Sequence, residues 1–365
     1  MVNKIRLLLV SVNFLGNSGL GIIEHGIRIY SSIKKYSNIV EVYKYSLVSD
    51  RLFNSINKKA RDLLIKKPGD KNKKTEKPNI IHYTSPGVFM SSIFIKPLFN
   101  YKAKQVVTIH DLDMIKKIPK IGINNYTNKE LTKGPMKMVN MFLNSMEKNG
   151  LKLAVKKADH ILCVSEITKN DLIKTFNLPS KKISVVYNII GKEFKHLTHK
   201  KNKKVVIGHL SSYAYNKNAE TLVEAFRKVK SDKFELHLYG AKLPFDISKD
   251  KRIKYFGHAK DIVKMYNSFD VFVFPSKWEG FGMPVMEAKK CQIPVITYKY
   301  GELPGIVKNN TIQFKDVNDL KEILERQKWK VIDTKKAYRD TKKCEEKYVV
   351  RELEKMYKNI MEDKC

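Results

Sequence analysis

Short apolar runs alternate along this chain with longer segments whose apolar residues recur every three or four positions. Ile5–Val12, Ile80–Tyr83, Gln105–Ile109, His160–Val164 and Ile183–Tyr187 are of the first kind. They are rich in Val and Ile and end at polar or Gly residues, as strands buried on both faces of a parallel sheet do. A second series follows: Lys204–Gly208, Glu235–Tyr239, Ile253–Phe256, Val271–Phe274 and Pro294–Thr297. Between these runs lie amphipathic helices. The segment from Ala219 to Val229, for example, sets Leu222, Val223, Phe226 and Val229 on one face. Repeated β-α alternation predicts an α/β protein with two Rossmann-like, doubly wound parallel sheets.

The two series part at the polar, charged stretch Gly191 to Lys204, which has no strand periodicity and is predicted to be an interdomain linker. Residues 1–190 are therefore assigned to a first domain and 191–339 to a second. From about Lys335 to Asp363, residues such as Tyr338, Leu353, Met356 and Ile360 keep helical spacing. The helix at 340–365 is expected to pack back onto the first domain.

Composition adds three constraints. Hydrophobic residues are 42% of the 365, enough for two cores and too many for a disordered chain. The 71 basic and 37 acidic residues leave a net charge of +34, which favours anionic partners: nucleotide phosphates, nucleic acid or an acidic membrane surface. The charge is spread along the sequence, and no helix-turn-helix, zinc or RNP-like pattern accompanies it, so no specific nucleic acid is expected. The four cysteines, Cys163, Cys291, Cys344 and Cys365, have neither C-x-x-C nor zinc-site spacing. With no apolar run of about 18 residues and no cleavage-site pattern after Ile5–Val12, the expected location is the cytoplasm.

The segment richest in chemistry runs Pro275-Ser276-Lys277-Trp278-Glu279-Gly280-Phe281-Gly282-Met283-Pro284-Val285-Met286-Glu287-Ala288, directly after the strand Val271–Phe274. Two glycines let a ligand approach the backbone. Pro284 suits the first turn of a helix, whose positive end then faces the loop as an anion site. Glu279 and Glu287 can each accept two hydrogen bonds from adjacent hydroxyls, as on a sugar or ribose.

Glu279-Gly280-Phe281-Gly282-x-Pro284-x-x-Glu287-Ala288 resembles the E-x7-E signature of the retaining nucleotide-sugar glycosyltransferases of glycosyltransferase family 4, which have the GT-B fold. Further matches run in the family's order. Val107-Thr108-Ile109-His110-Asp111 resembles its N-terminal His-Asp strand end. Ala158 to Glu166 resembles the strand ending in Val-Ser, and Val185-Val186-Tyr187-Asn188 the hinge strand. Val206-Ile207-Gly208-His209-Leu210 with Asn216-Lys217-Asn218 resembles the phosphate-binding segment.

The resemblance implies transfer of a sugar from a nucleoside diphosphate donor to an acceptor hydroxyl, with the anomeric configuration retained. It places His110, Glu279 and Lys217 in catalysis. Donor binding falls to Gly19, Asn188, His209, Lys217, Glu279, Gly280, Phe281, Gly282 and Glu287. Glu287 would hold the ribose, Glu279 the transferred sugar and Lys217 the diphosphate, while Gly19 would line the cleft from the first domain and His110 would face the sugar across it. The Gly-rich loop Gly16 to Gly21 also looks like a dinucleotide fingerprint, but no acidic residue ends a clear second strand. The helix end at Pro284 and the Lys217 ammonium can take the charge of the leaving diphosphate, so no metal and no cofactor are expected beyond the donor itself.

Three positions depart from the family. His209 stands where members usually carry Arg, Ile189 follows Asn188 in place of Gly, and Gly305 replaces the Glu of a Leu-Pro-Glu turn. The departures at His209 and Gly305 support one alternative, an inactive sugar-nucleotide-binding protein of the same fold. The net charge supports another, a basic nucleic-acid-binding protein. The acceptor stays open among glycan, lipid-linked molecule and protein. Residues 112–150 match no assigned feature. Within Met136–Val155, Met138, Val139, Phe142, Leu143 and Met146 share a helical face beside Lys137 and Lys148, which raises peripheral contact with anionic membrane as an expectation.

Overall fold

In the computed structural model of the chain, the structure describes residues 4–13, 20–48, 77–100, 102–112, 145, 148–198 and 203–363. Two six-stranded sheets, parallel throughout, form the framework. The first has the order β2-β1-β3-β4-β5-β6, built from Ile5–Asn13 (β1), Val40–Val48 (β2), Ile80–Tyr83 (β3), Lys104–Ile109 (β4), His160–Cys163 (β5) and Ile183–Val185 (β6). The second has the order β12-β11-β10-β7-β8-β9. Its strands are Val205–Ser211 (β7), Phe234–Gly240 (β8), Ile253–Tyr255 (β9), Val271–Phe274 (β10), Val295–Tyr298 (β11) and Ile312–Phe314 (β12). The helices that bear on the site are Leu20–Tyr36 (α1), Glu166–Phe176 (α2), Ala219–Arg227 (α3), Ile262–Asn267 (α4), Met283–Lys290 (α5), Val317–Glu325 (α6), Thr334–Asp340 (α7) and Glu346–Met361 (α8).

Central strands read as unbroken apolar runs because both of their faces are covered. All four residues of β3, β5 and β10 are buried. On α3, Leu222, Val223 and Phe226 face the second core, with Ala219 and Ala225 beside them. The helix α8 turns Val349, Val350, Leu353, Met356, Tyr357 and Ile360 into a cluster shared with Ile29 and Ile33 of α1 and Leu7 and Leu9 of β1. Two further buried contacts fix it there. Tyr357 Oη lies 2.7 Å from His82 Nδ1, and His82 Nε2 lies 2.8 Å from Thr108 Oγ1.

The strand order reverses between β1 and β3 in the first sheet and between β7 and β10 in the second. Ligands of open α/β sheets bind beyond the strand ends at such a reversal. In the second sheet those ends lead to Lys217 and to the Pro275–Gly282 loop.

Several elements differ from the expectation. β2 pairs with β1 along all nine residues, from Ile5↔Val40 to Asn13↔Val48. Its sequence, Val-Glu-Val-Tyr-Lys-Tyr-Ser-Leu-Val, is interrupted by Glu41, Lys44 and Ser46, as an edge strand tolerates, so an apolar-run criterion passes over it. β12 has three residues, too few to leave a pattern. The stretch after Gly191 is more firmly held than a polar tether. Phe194 is buried, Leu197 N donates to Asn267 Oδ1 at 2.7 Å, and Asn267 Nδ2 donates to Lys195 O at 3.0 Å. Among the described residues no helix is long and apolar enough to cross a membrane.

Candidate active site

The C-terminal ends of β7 and β10 launch two loops that are stitched together. Lys277 N donates to Asn216 O at 2.7 Å, Asn216 Nδ2 to Trp278 O at 3.2 Å, and Asn218 Nδ2 to Pro275 O at 3.2 Å. A third segment joins them: Glu279 N donates to Glu302 O at 3.1 Å and Glu302 N to Lys277 O at 2.7 Å. Asn218 occupies the left-handed region at φ 52° and begins α3.

This stitching brings Lys217 and Glu279 face to face. Lys217 Nζ lies 2.7 Å from one carboxylate oxygen of Glu279 and 2.8 Å from the other. Their side chains are 22% and 11% exposed, so the pair is partly withdrawn from water but open to the cleft. Such a pair keeps both charges compensated while no ligand is present.

Gly282 starts α5 at φ +100°, a conformation that side chains rarely adopt, and a β-carbon there would press on Val307 Cγ1 at 3.2 Å. No side chain caps this helix end. Its positive pole is therefore left to the loop. Gly280 is constrained differently, because a β-carbon on it would stand 2.0 Å from the carbonyl oxygen of His110. The loop of the second sheet thus touches the end of β4 in the first. Phe281 turns away from this surface into the core, 4% exposed and 5.6 Å from the ring of Tyr187. Only its backbone is available to a ligand. Glu287, one turn into α5, accepts from Tyr266 Oη at 2.8 Å. Burial, followed by the Glu287 carboxylate, lifts the Tyr266 pKa well above the usual phenol value, so this hydroxyl stays a donor.

His110 crosses from the other side. Its Nε2 donates to Thr84 O at 3.0 Å, which leaves Nδ1 as the acceptor of the neutral ring. Burial lowers its pKa, against the opposing pull of the Thr84 carbonyl and Asp111. The ring of His25, on α1, stands edge-on to His110 at 4.8 Å, and its buried Nε2 has no hydrogen-bond partner among the described residues. Burial first, then His110 and His82, hold His25 well below the ordinary imidazole range.

His209 lies inside the fold rather than on the cleft wall. It is 1% exposed, Nδ1 is 2.9 Å from Val273 O, and Nε2 is buried without a partner among the described residues. Burial draws its pKa down to about 4, and Lys217 lowers it too. It brings no positive charge at neutral pH. Asn188 is half-buried at the hinge with its Oδ1 unsatisfied among the described residues. Gly19 falls outside the described residues, as do the Met136–Val155 positions singled out for membrane contact apart from the helical stretch from residue 148 onward.

The structure therefore brings Lys217, Glu279, Gly280 and the start of α5 to one place, and joins His110 to them through Gly280. Two participants left no signal in the sequence. His25 is 85 positions from the ring it meets, and Tyr266 sits in an ordinary amphipathic helix. Only the folded geometry pairs them with His110 and Glu287.

Two family models match consecutive stretches of the chain: "Glycosyltransferase Family 4" over residues 43–193 and "Glycosyl transferases group 1" over residues 189–343. Each model matches less than half of the chain, and both are models of glycosyltransferases; the fold is the GT-B architecture of two Rossmann-like units. Among curated proteins it is 32% identical to the O-antigen chain mannosyltransferase RfbU of Salmonella typhimurium over 164 residues, 40% of this chain and 44% of that one. It is 25% identical to the capsular polysaccharide biosynthesis glycosyltransferase CapM of Staphylococcus aureus over 247 residues, 58% of this chain and 64% of that one. These matches span less than two thirds of either relative. Among solved structures, Anabaena HepE in complex with UDP and glucose superposes with a TM-score of 0.66 at 12% identity, covering 96% of this chain and 99% of that one.

Proposed function

We propose that this chain transfers a hexose from a nucleoside diphosphate donor to an acceptor hydroxyl with retention of configuration. The observation that carries this reading is the Lys217–Glu279 pair, set at the β7/β10 reversal beside the uncapped end of α5. In this reading the diphosphate takes Lys217 from Glu279 and rests against the α5 terminus. The ribose hydroxyls hydrogen-bond to Glu287, held by Tyr266. The hexose lies between Glu279 and Nδ1 of His110, with the acceptor arriving from the N-terminal unit. We divide the two units at residues 190 and 191.

Breaking the anomeric C–O bond leaves its electron pair on the β-phosphate, adding one negative charge to a diphosphate that already carries two, while the sugar carbon becomes positive. Lys217 and the helix end stabilise that charge as it develops, so no step calls for a metal. Glu279, released from Lys217, can face the positive anomeric carbon. The named activity of RfbU and the UDP bound in HepE support a hexose and a nucleoside diphosphate as the first substrates to try.

The test is calorimetric titration of nucleoside diphosphates into the protein and into Glu287→Ala. The reading expects affinity to fall at least about tenfold, the loss of one hydrogen bond to a charged group worth ~1.5–3 kcal/mol. Unchanged affinity overturns the ribose assignment. A second reading, donor binding without transfer, draws on the neutral, buried His209. Absence of both transfer and donor hydrolysis, with binding intact, would favour it.

A further inference from the structure

The opposite end of α5 from the cleft borders a separate cavity of about 530 Å³. It sits where α1, the hinge segment Ile190–His196, α5 and the start of α8 converge. Its apolar part comes from Tyr36, Ile190, Phe194 and Tyr338. None of the residues that line it lines the Lys217–Glu279 site.

Its charge is unbalanced. Lys192, Lys195, Lys290 and Lys347 face Glu345 and Glu346 across it, beside His196. Glu346 is partly occupied by Lys35, at 3.5 Å. His196 has Nδ1 3.3 Å from Cys291 O. Lys192, Lys195 and Lys347 are exposed at the rim, whereas Lys290 is 7% exposed. Among the described residues Lys290 has no hydrogen-bond or ion-pair partner. The nearby carboxylate of Glu193 is held by Arg28 at 2.8 Å. The stem of Lys290 is buried in the last turn of α5, and its ammonium, hydrogen-bonded to no carboxylate among the described residues, is left to meet an anion in the cavity. The sixteen-residue helix α8 points its N-terminal end at the same space, and Glu345, its cap residue, makes no side-chain capping bond.

We propose that this hinge cavity is a second ligand site, distinct from the donor cleft, that binds a small phosphorylated anion on Lys290 and the α8 terminus. Lys192, Lys195 and Lys347 form its rim, and the rings of Tyr36 and Tyr338 face the organic part of the ligand. The volume falls in the range of small-molecule sites, ~300–1,000 Å³. The walls come from α1, the hinge and α5, so a bound anion bridges the two halves of the molecule.

The test is calorimetric titration of inorganic pyrophosphate into the full chain carrying Lys217→Ala, which removes the cleft's lysine. One saturable site is expected. Adding Lys290→Met, which keeps the aliphatic stem, should weaken it at least about tenfold. So should the exposed pair Lys192→Glu and Lys195→Glu, which settles the matter should Lys290→Met fail to fold. The proposal is overturned by absence of saturable binding, or by binding that neither change weakens. The cavity shares no residue with the donor site, so a failed transferase reading would leave this result standing, and the reverse holds too.

Discussion

Lys217 Nζ sits between both carboxylate oxygens of Glu279, at 2.7 and 2.8 Å, so the unliganded cleft holds its own cation in an internal ion pair. A donor diphosphate must compete with Glu279 for that lysine. Glu279→Gln should therefore tighten nucleoside diphosphate binding, by about threefold or more, while transfer falls steeply because the anomeric carbon loses its facing carboxylate. Calorimetry alongside a transfer assay checks both halves. Weaker diphosphate binding in this variant would show that Glu279 helps to hold the phosphates rather than competing with them.

Gly280 carries the contact between the two sheets. A methyl group there meets the His110 carbonyl at 2.0 Å, against backbone that cannot rotate away. Gly280→Ala should push the halves apart by about an ångström, which costs on the order of 100-fold in rate when it falls between a donor and its partner groups. Thermal stability should fall as well, since the neighbouring Phe281 packs in a cluster shared with Val164 and Tyr187 of the other half. Equal activity in Gly280→Ala would mean that the loop and His110 separate during turnover.

Acid should destabilise this protein through its buried imidazoles. His209 and His160 have pKa values lowered to about 4, in each case mainly by burial, against an unfolded value near 6.5. Between those values the unfolded chain binds the extra proton. The stability from each neutral ring is thus present above pH 6.5 and is lost as pH falls towards 4, up to about 3 kcal/mol per ring. Urea unfolding at pH 7, 6 and 5 reads this. His209→Asn, which preserves a donor towards Val273 O, should flatten the curve between pH 6.5 and 4. An unchanged slope would show that the ring is already solvated in the folded state.

Chelation should leave transfer intact, since Lys217 and the α5 terminus suffice for the leaving charge. Complete, metal-reversible loss of activity in EDTA would refute this.

Anionic vesicles should retain the protein more than neutral ones, with retention lost in salt, if the Met136–Val155 stripe meets lipid. Each Lys near such a surface adds ~1 kcal/mol. Equal sedimentation with both vesicle types would remove the membrane from the account.

The fold was legible wherever strands are buried on both faces. Val271–Phe274 is unbroken apolar sequence because both sides of β10 are covered. β2 was not legible, since an edge strand keeps polar residues and its partner, β1, lies more than thirty positions away. The candidate site was legible as residue types, through two glycines, a proline and two glutamates whose spacing, with the other segments in order, carries the family resemblance. Its electrostatics were not. Nothing in Asn216-Lys217-Asn218 indicates that the lysine is bound by Glu279, and nothing around His209 shows that its ring faces Val273 inside the fold. Those facts depend on how three loops are stitched, and each stitch joins residues distant in sequence.

The central claim is that Lys217 serves the donor diphosphate. It is tested most directly by measuring transfer from nucleoside diphosphate hexoses by the protein and by Lys217→Ala, with nucleoside and nucleoside diphosphate binding measured alongside. The account predicts that transfer collapses and diphosphate binding weakens by about tenfold or more, while the bare nucleoside binds as before. Equal losses for nucleoside and diphosphate, or transfer undiminished in Lys217→Ala, would contradict it.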